Sequence, residues 1–142
     1  EAKKFGNDLK LIVDPNLVII IEVKGRIAGT VVGVPNLNEA IGDLNGSLFP
    51  LGFLKLFWRI KRRRIRNGRI LLMGVRKAYR TREFSGMPYL LIDELIRRGS
   101  SRGYQWAELS WTLEDNHAIN KLIEHMGCQH YKTYRLYEKE LV

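Results

Sequence analysis

The sequence predicts an α/β (α+β) protein with a mixed, mostly antiparallel central sheet flanked by helices. Three observations carry this reading. Short runs rich in Val, Ile and Leu recur along the chain. The first two are joined by a tight-turn signal, Lys24-Gly25, which marks a hairpin. The later runs are separated by stretches with apolar residues at helical spacing, which argues for helical crossovers beside a sheet.

The elements follow in order. Glu1–Leu11 reads as the tail of an amphipathic helix, and Asp14-Pro15-Asn16 as a turn. Leu17–Val23 is largely apolar and β-branched, which predicts a strand with two buried faces. Arg26–Val34 is the second strand, ended by Pro35, which has no N–H for a ladder. Asn36–Asn45 is polar with a short helical stretch that Asn36 or Asn38 caps. Pro50 opens a helix to about Arg63, with Phe53, Leu54, Leu56, Phe57 and Ile60 near helical spacing. Asn67-Gly68 is its stop signal. Arg69–Val75 is a third buried strand. Met87–Arg98 is a helix whose broad apolar face holds Leu90, Leu91, Ile92, Leu95 and Ile96, with Gly99 as its C-terminal cap. Gln105–Thr112 is the fourth strand. Asn116–Met126 is a helix capped by Asn116 and ended by Gly127. Tyr131–Glu138 alternates with a period of two and is predicted as a final strand. The first three strands should form an antiparallel meander. The fourth returns by way of a helix and should pair in parallel.

Composition narrows the class. At 45% hydrophobic and 27% charged, the chain can build a core and is too apolar for disorder. Its 142 residues suit one domain, which begins at Glu rather than Met and looks short in its N-terminal part. The single cysteine, Cys128, forms no internal disulfide, so a reducing cytoplasm is the expected location. Cys128 reads as a plain thiol; His125 and His130 are near it only in sequence. No basic region precedes an apolar run near the start, so no signal peptide is read. The longest apolar stretch, Ser47–Trp58, is interrupted by Pro50, Gly52 and Lys55 and falls short of the roughly 18 residues of a membrane span.

The net charge of +9 is concentrated in one place. Residues 55–69 hold Lys55, Arg59, Lys61, Arg62, Arg63, Arg64, Arg66 and Arg69 with no acid, and the rest of the chain is nearly neutral. Such a segment suits nucleic acid or an anionic membrane surface, or simply forms a solvated helix end and loop.

The junction from Leu72 to Leu90 is the main candidate for chemistry. A buried strand feeds a short polar loop that opens a helix, where unpaired N–H groups and the helix dipole favour an anion. Arg80 and Arg82 add charge beside those donors.

Here the chain resembles the GNAT acetyltransferase family. That family runs a hydrophobic strand into Val-x-Pro-x-Tyr-Arg, a glycine-rich loop and an apolar helix. Val75, Tyr79 and Arg80 match it, with Ala78 between them. Thr81 and Glu83 stand where loop glycines are usual, and Ser85-Gly86 follow. Further on, Gly103-Tyr104, the strand with Trp106–Trp111, Asn116 and Gly127 agree in order and spacing over about residues 17–142.

The resemblance implies an acyl-CoA, most simply acetyl-CoA, in a wedge where Arg69–Val75 splays from Gln105–Thr112. The backbone of Met73, Gly74 and Val75 would pair with the pantetheine arm. The amides of Arg82, Glu83, Phe84, Ser85 and Gly86 would hold the pyrophosphate, with Arg80, Thr81 and Asn116 completing the cofactor set. An unidentified small-molecule or peptide amine would attack the thioester directly, with developing charge stabilised by backbone donors. Glu108 and Glu114 are the candidate bases, set against the reading that both are solvated surface carboxylates. The tyrosine that many family members carry in the last helix is replaced by Ile123. Tyr104, Trp106, Trp111, Tyr131, Tyr134 and Tyr137 line an acceptor pocket on one reading and pack the sheet on another. Three histidines at 117, 125 and 130 do not form a metal-site pattern, and no metal is expected. A homodimer is one option for assembly. The alternative function is a non-catalytic module that binds CoA, or binds nucleic acid through residues 59–69.

Overall fold

A computed structural model describes residues 13–42, 44, 51–62 and 65–140. Lys24 and Gly25 both take positive φ, 51° and 73°, the backbone that a two-residue primed turn requires. They join β1 (Val18–Val23) to β2 (Arg26–Pro35) as an antiparallel hairpin. Asp14 precedes a single 3₁₀ turn, Pro15–Leu17, and its side chain accepts the Asn16 amide.

β2 pairs antiparallel with β3 (Asn67–Val75), and β3 pairs in parallel with β4 (Trp106–Leu109). The sheet order is β1-β2-β3-β4, which is the expected meander and parallel return. Among the described residues two short helices lie between β2 and β3, α1 (Leu37–Ile41) and α2 (Gly52–Lys61). Asn36 caps α1 by accepting the Asn38 amide at 3.3 Å. The expected opening of α2 at Pro50 and the helix over Glu1–Leu11 lie outside the described residues. α3 (Met87–Ser101) crosses back over the sheet to β4.

Several boundaries differ from the sequence reading. Asn67-Gly68 does not stop a helix but begins β3, where Gly68 pairs with Pro35. Gly99 lies buried inside α3 rather than at its cap. The helix runs a further half turn, and Gly103, at φ 90°, takes the left-handed conformation that ends it. β1 is buried on one face only: Ile19 is buried while Ile20 is 52% exposed. Successive side chains of β1 point to opposite faces and α3 packs on one of them, so half its apolar run faces outward. α3 likewise buries Met87, Leu91, Ile92 and Leu95 but leaves Leu90 and Ile96 exposed.

The core lies between the sheet and α3, built from Leu17, Ile19, Val31 and Ile70 against Leu91 and Leu95. Two glycines of β2 let the helix approach. A Cβ on Gly29 would stand 3.2 Å from the Gly74 carbonyl oxygen and from Met87 Sδ, and one on Gly33 would stand 3.2 Å from Leu95 Cδ1. An ion pair of 2.6 Å between Arg102 and Asp14 ties the end of α3 to the turn before β1.

The chain forms two compact units, Glu1–Ser110 and Trp111–Val142. The second contains α4 (His117–His125), capped by Asn116, whose Oδ1 accepts the Ile119 amide. Gly127, at φ 73°, closes it. The expected strand Tyr131–Glu138 is not formed; these residues carry no regular secondary structure. A strand is held by its partners more than by its pattern, and no strand pairs with this segment among the described residues. Tyr131, Tyr134, Leu136 and Tyr137 are all exposed.

Candidate active site

The site begins with a fork in the sheet. β4 matches β3 only from Asn67↔Trp106 to Ile70↔Leu109. Beyond Ile70, residues 71–75 keep β2 on one side and have no strand partner on the other among the described residues. Two local features cause the parting. The β2–β3 register shifts between Val32 and Gly33, leaving Leu71 as an extra residue, and such a bulge bends its strand. β4 also stops at Leu109, and Ser110 closes the crotch: its amide and its hydroxyl both donate to the Ile70 carbonyl. Burial follows the fork, since Ile70 is buried and Leu72 is 44% exposed.

After Val75 the chain makes two single 3₁₀ turns, Lys77–Tyr79 and Arg82–Phe84, before α3. The rings of Tyr79 and Phe84 meet edge to face at 5.4 Å and brace the two turns. The tight turns use some of the amides expected for a ligand. Phe84 N–H donates to the Thr81 carbonyl at 3.1 Å and Ser85 N–H to the Arg82 carbonyl at 3.3 Å, as i→i+3 closure requires. The amides of Thr81, Arg82, Glu83 and Gly86 have no acceptor among the described residues. Arg80 folds back, its Nε donating to the Val75 carbonyl at 2.7 Å over the end of β3. Arg76, Lys77, Arg80 and Arg82 are exposed around this loop with Glu83 as the single acid, so its electrostatic balance favours an anion.

The two candidate bases differ. Glu108 sits directly across from Arg69 in the parallel ladder, one residue before the fork. Its Oε2 accepts from Arg69 Nε at 3.2 Å and Nη2 at 2.8 Å, and its side chain is only 12% exposed. Glu114 lies in a turn of the second unit, 86% exposed, with Arg135 at 3.4 Å. Asn116, in the same unit, uses its side-chain oxygen on the helix it caps. The aromatic set is divided too. Tyr104 packs against the core, while Trp106 and Trp111 are largely exposed, and Trp111 meets Tyr134 at 5.9 Å.

Two residues that shape the site escaped the sequence reading. One is Ser110 at the fork. The other is Glu39 of α1, whose carboxylate accepts the amides of Arg66 and Asn67 at 3.1–3.2 Å and fixes the start of β3. Ser110 follows an apolar strand, which is a weak cue; Glu39 lies far from Arg66 in sequence and gave none. Among the described residues no helix is long and apolar enough to cross a membrane, and no three His, Cys, Asp or Glu side chains group as a metal site.

The fold is that of the GNAT acetyltransferases. Aminoglycoside N-acetyltransferase AAC(6')-Iy in complex with CoA superposes with a TM-score of 0.59 at 17% identity, over 98% of this chain and 88% of that one. The apo aminoglycoside 6'-N-acetyltransferase AAC(6')-Ig of Acinetobacter haemolyticus gives 0.60 at 13% identity, over 99% and 82%. A ribosomal-protein-alanine N-acetyltransferase of Brucella melitensis gives 0.53 at 16%, over 86% and 69%. No protein-family model matches the chain. In sequence, the chain is 43% identical over 142 residues to a Caulobacter vibrioides protein named bacterial ceramide synthase, and 42% identical over 142 residues to protein YghO of Escherichia coli. Each match covers 99% of this chain but only 37% and 36% of those proteins, so the chain spans little more than a third of their length.

Proposed function

We propose that this chain binds an acyl-CoA and transfers its acyl group to an amine, and that residues 1–142 act as one GNAT-like domain in doing so. The observation that carries the reading is the open edge of β3 beyond Ile70, leading into a cationic loop with unsatisfied amides ahead of α3. The open edge of β3 over Met73, Gly74 and Val75 suits the amide groups of a pantetheine arm, with Arg80 releasing the Val75 carbonyl as it turns to the pyrophosphate. The amides of Thr81, Arg82, Glu83 and Gly86, with the Arg80 and Arg82 guanidinium groups, suit a pyrophosphate. Phe84 and Ser85 shape the loop rather than donate from it, and Asn116 serves as a helix cap.

We further propose a long-chain amino alcohol as acceptor and a fatty acyl-CoA as donor. Support comes from the 43% identity to a protein named bacterial ceramide synthase, a ceramide being the amide of such an amine. In the reaction the amine nitrogen attacks the thioester carbonyl carbon and the C–N bond forms. Collapse of the intermediate breaks the C–S bond. The amine gives up one proton and the CoA thiolate takes one, so free CoA and an amide leave. Glu108 is the stronger candidate to accept the proton by position, one residue before the fork, although its pairing with Arg69 lowers its basicity; Glu114 is the weaker.

The test is thermal unfolding of the full chain with acetyl-CoA and palmitoyl-CoA, followed by mass spectrometry of N-acyl product and assay of released thiol with sphinganine as acceptor. A ligand held at a hundred times its dissociation constant stabilises the fold by about 2.7 kcal/mol. No shift in melting with either donor at millimolar concentration sinks the reading. A second reading, a GNAT fold that binds CoA without turnover, is favoured by Thr81 and Glu83 in place of loop glycines. Binding without amide formation across a panel of amines would select it.

A further inference from the structure

α2 turns large apolar side chains outward. Leu51, at the turn into the helix, is 71% exposed, Leu54 62%, Phe57 56% and Trp58 41%. Leu51, Leu54 and Trp58 stand at i, i+3 and i+7 and so share one face. Lys55 and Arg62 are exposed beside them, and the Arg62 guanidinium lies 4.6 Å from the centroid of the Trp58 ring. The helix is anchored from its basic flank, where Arg59, i+4 from Lys55, donates from Nη1 to the Ala40 carbonyl of α1 at 2.6 Å. No acid occurs between residues 55 and 69.

We propose that α2 docks this protein on an anionic lipid surface. The Leu51–Leu54–Phe57–Trp58 face enters the boundary between headgroups and acyl chains while Lys55 and Arg62 meet lipid phosphates. Apolar and aromatic side chains on one face, rimmed by bases, are what a helix lying in the membrane plane requires. A nucleic-acid surface explains the bases but leaves Leu51 and Leu54 without a role, since strand recognition uses stacking rings and charge. The placement suits a lipid-borne acceptor. Through Glu39 and Asn36, α1 is bonded to the Arg66–Asn67 end of β3, and α2 is anchored on α1. The docking face therefore lies at the end of β3 away from the Thr81–Gly86 loop. That benefit rests on the transferase reading; the docking itself does not.

The experiment is co-sedimentation of the full chain, without substrates, on vesicles of phosphatidylcholine alone and of phosphatidylcholine with about one-third phosphatidylglycerol. The chain should partition onto the anionic vesicles, and weakly at most onto the neutral ones. The double variants L51E/L54E and K55E/R62E should each lose at least about tenfold in partition, with the far-ultraviolet circular dichroism of each variant checked against the parent so that loss of fold is not read as loss of docking. If L51E/L54E fails to fold, Leu54→Ser should still weaken partition severalfold. No binding to anionic vesicles overturns the proposal. So does binding that K55E/R62E abolishes and L51E/L54E leaves intact, or retention on single-stranded DNA that survives L51E/L54E. Failure here leaves the acyl-CoA melting shift untouched, so the two readings fail separately.

Discussion

Asp14 links a cap, a pairing and a pH dependence. Burial by itself would raise its carboxyl, but hydrogen bonds from Asn16 and the Arg102 guanidinium outweigh it and hold the group below its ordinary value of 3.8. A depressed folded-state pKa stabilises the native state above the unfolded pKa, and that contribution is lost as pH falls through the folded value. Asp14→Asn should therefore cost about 1 kcal/mol at neutral pH, and the stabilities of the two proteins should converge below about pH 4. Urea unfolding across pH 2 to 7 measures this; a constant gap at every pH would refute it. Glu94 is held lower, at about 2, by Arg97 and then Arg98, but it lies on the solvent side of α3 and decides little. Arg82 offers the residue-scale test of the proposed acyl-CoA site. Arg82→Ala should weaken acetyl-CoA binding by about tenfold, the loss of one charge-assisted hydrogen bond, with melting of the ligand-free protein unchanged. Calorimetric titration reads it.

At the scale of elements, the approach of α3 to β2 is the feature most sensitive to volume. Gly29→Val would push side-chain atoms into Met87, Leu91 and the Gly74 carbonyl, since even a Cβ there stands at 3.2–3.3 Å from all three. Overpacking of this kind costs about 1–3 kcal/mol. Leu91→Ala, which opens a cavity at a fully buried side chain, costs about 2–5 kcal/mol. Denaturant midpoints of the two variants check both figures. Glu39→Ala should act differently, freeing the start of β3 without emptying the core. It should cost about 1–2 kcal/mol and speed amide exchange at Arg66 and Asn67.

These elements also show where the sequence was legible. The Lys24-Gly25 hairpin, the Asn36 and Asn116 caps and the Gly127 stop depend on a few adjacent residues, and each was readable. The ends of β3 and α3 were not, because Gly68 and Gly99 look alike in sequence. One sits in a ladder opposite Pro35, and the other is buried ahead of Tyr104, so the partner decides the role.

For the molecule as a whole, order should be uneven. The first unit holds all the buried residues of the sheet and α3, whereas no described residue of 111–140 is fully buried. Hydrogen exchange should find the β2–β3 amides slowest and those of 128–140 fastest, since exchange follows local contact and hydrogen bonding. Protection at 131–138 matching that of β3 would contradict the absence of a fifth strand.

The sequence by itself determined the kind and order of most elements, the antiparallel meander, the parallel return and the loop that resembles an anion site. Each of these rests on periodicity or turn chemistry within a few residues. Tertiary structure alone decided that β3 and β4 part after Ile70, that Phe84 and Ser85 spend their amides on their own turns, and that Glu108 pairs with Arg69. It also left Tyr131–Glu138 without a partner. These outcomes depend on register and on side chains distant in sequence, and no local pattern encodes which strand edge remains open.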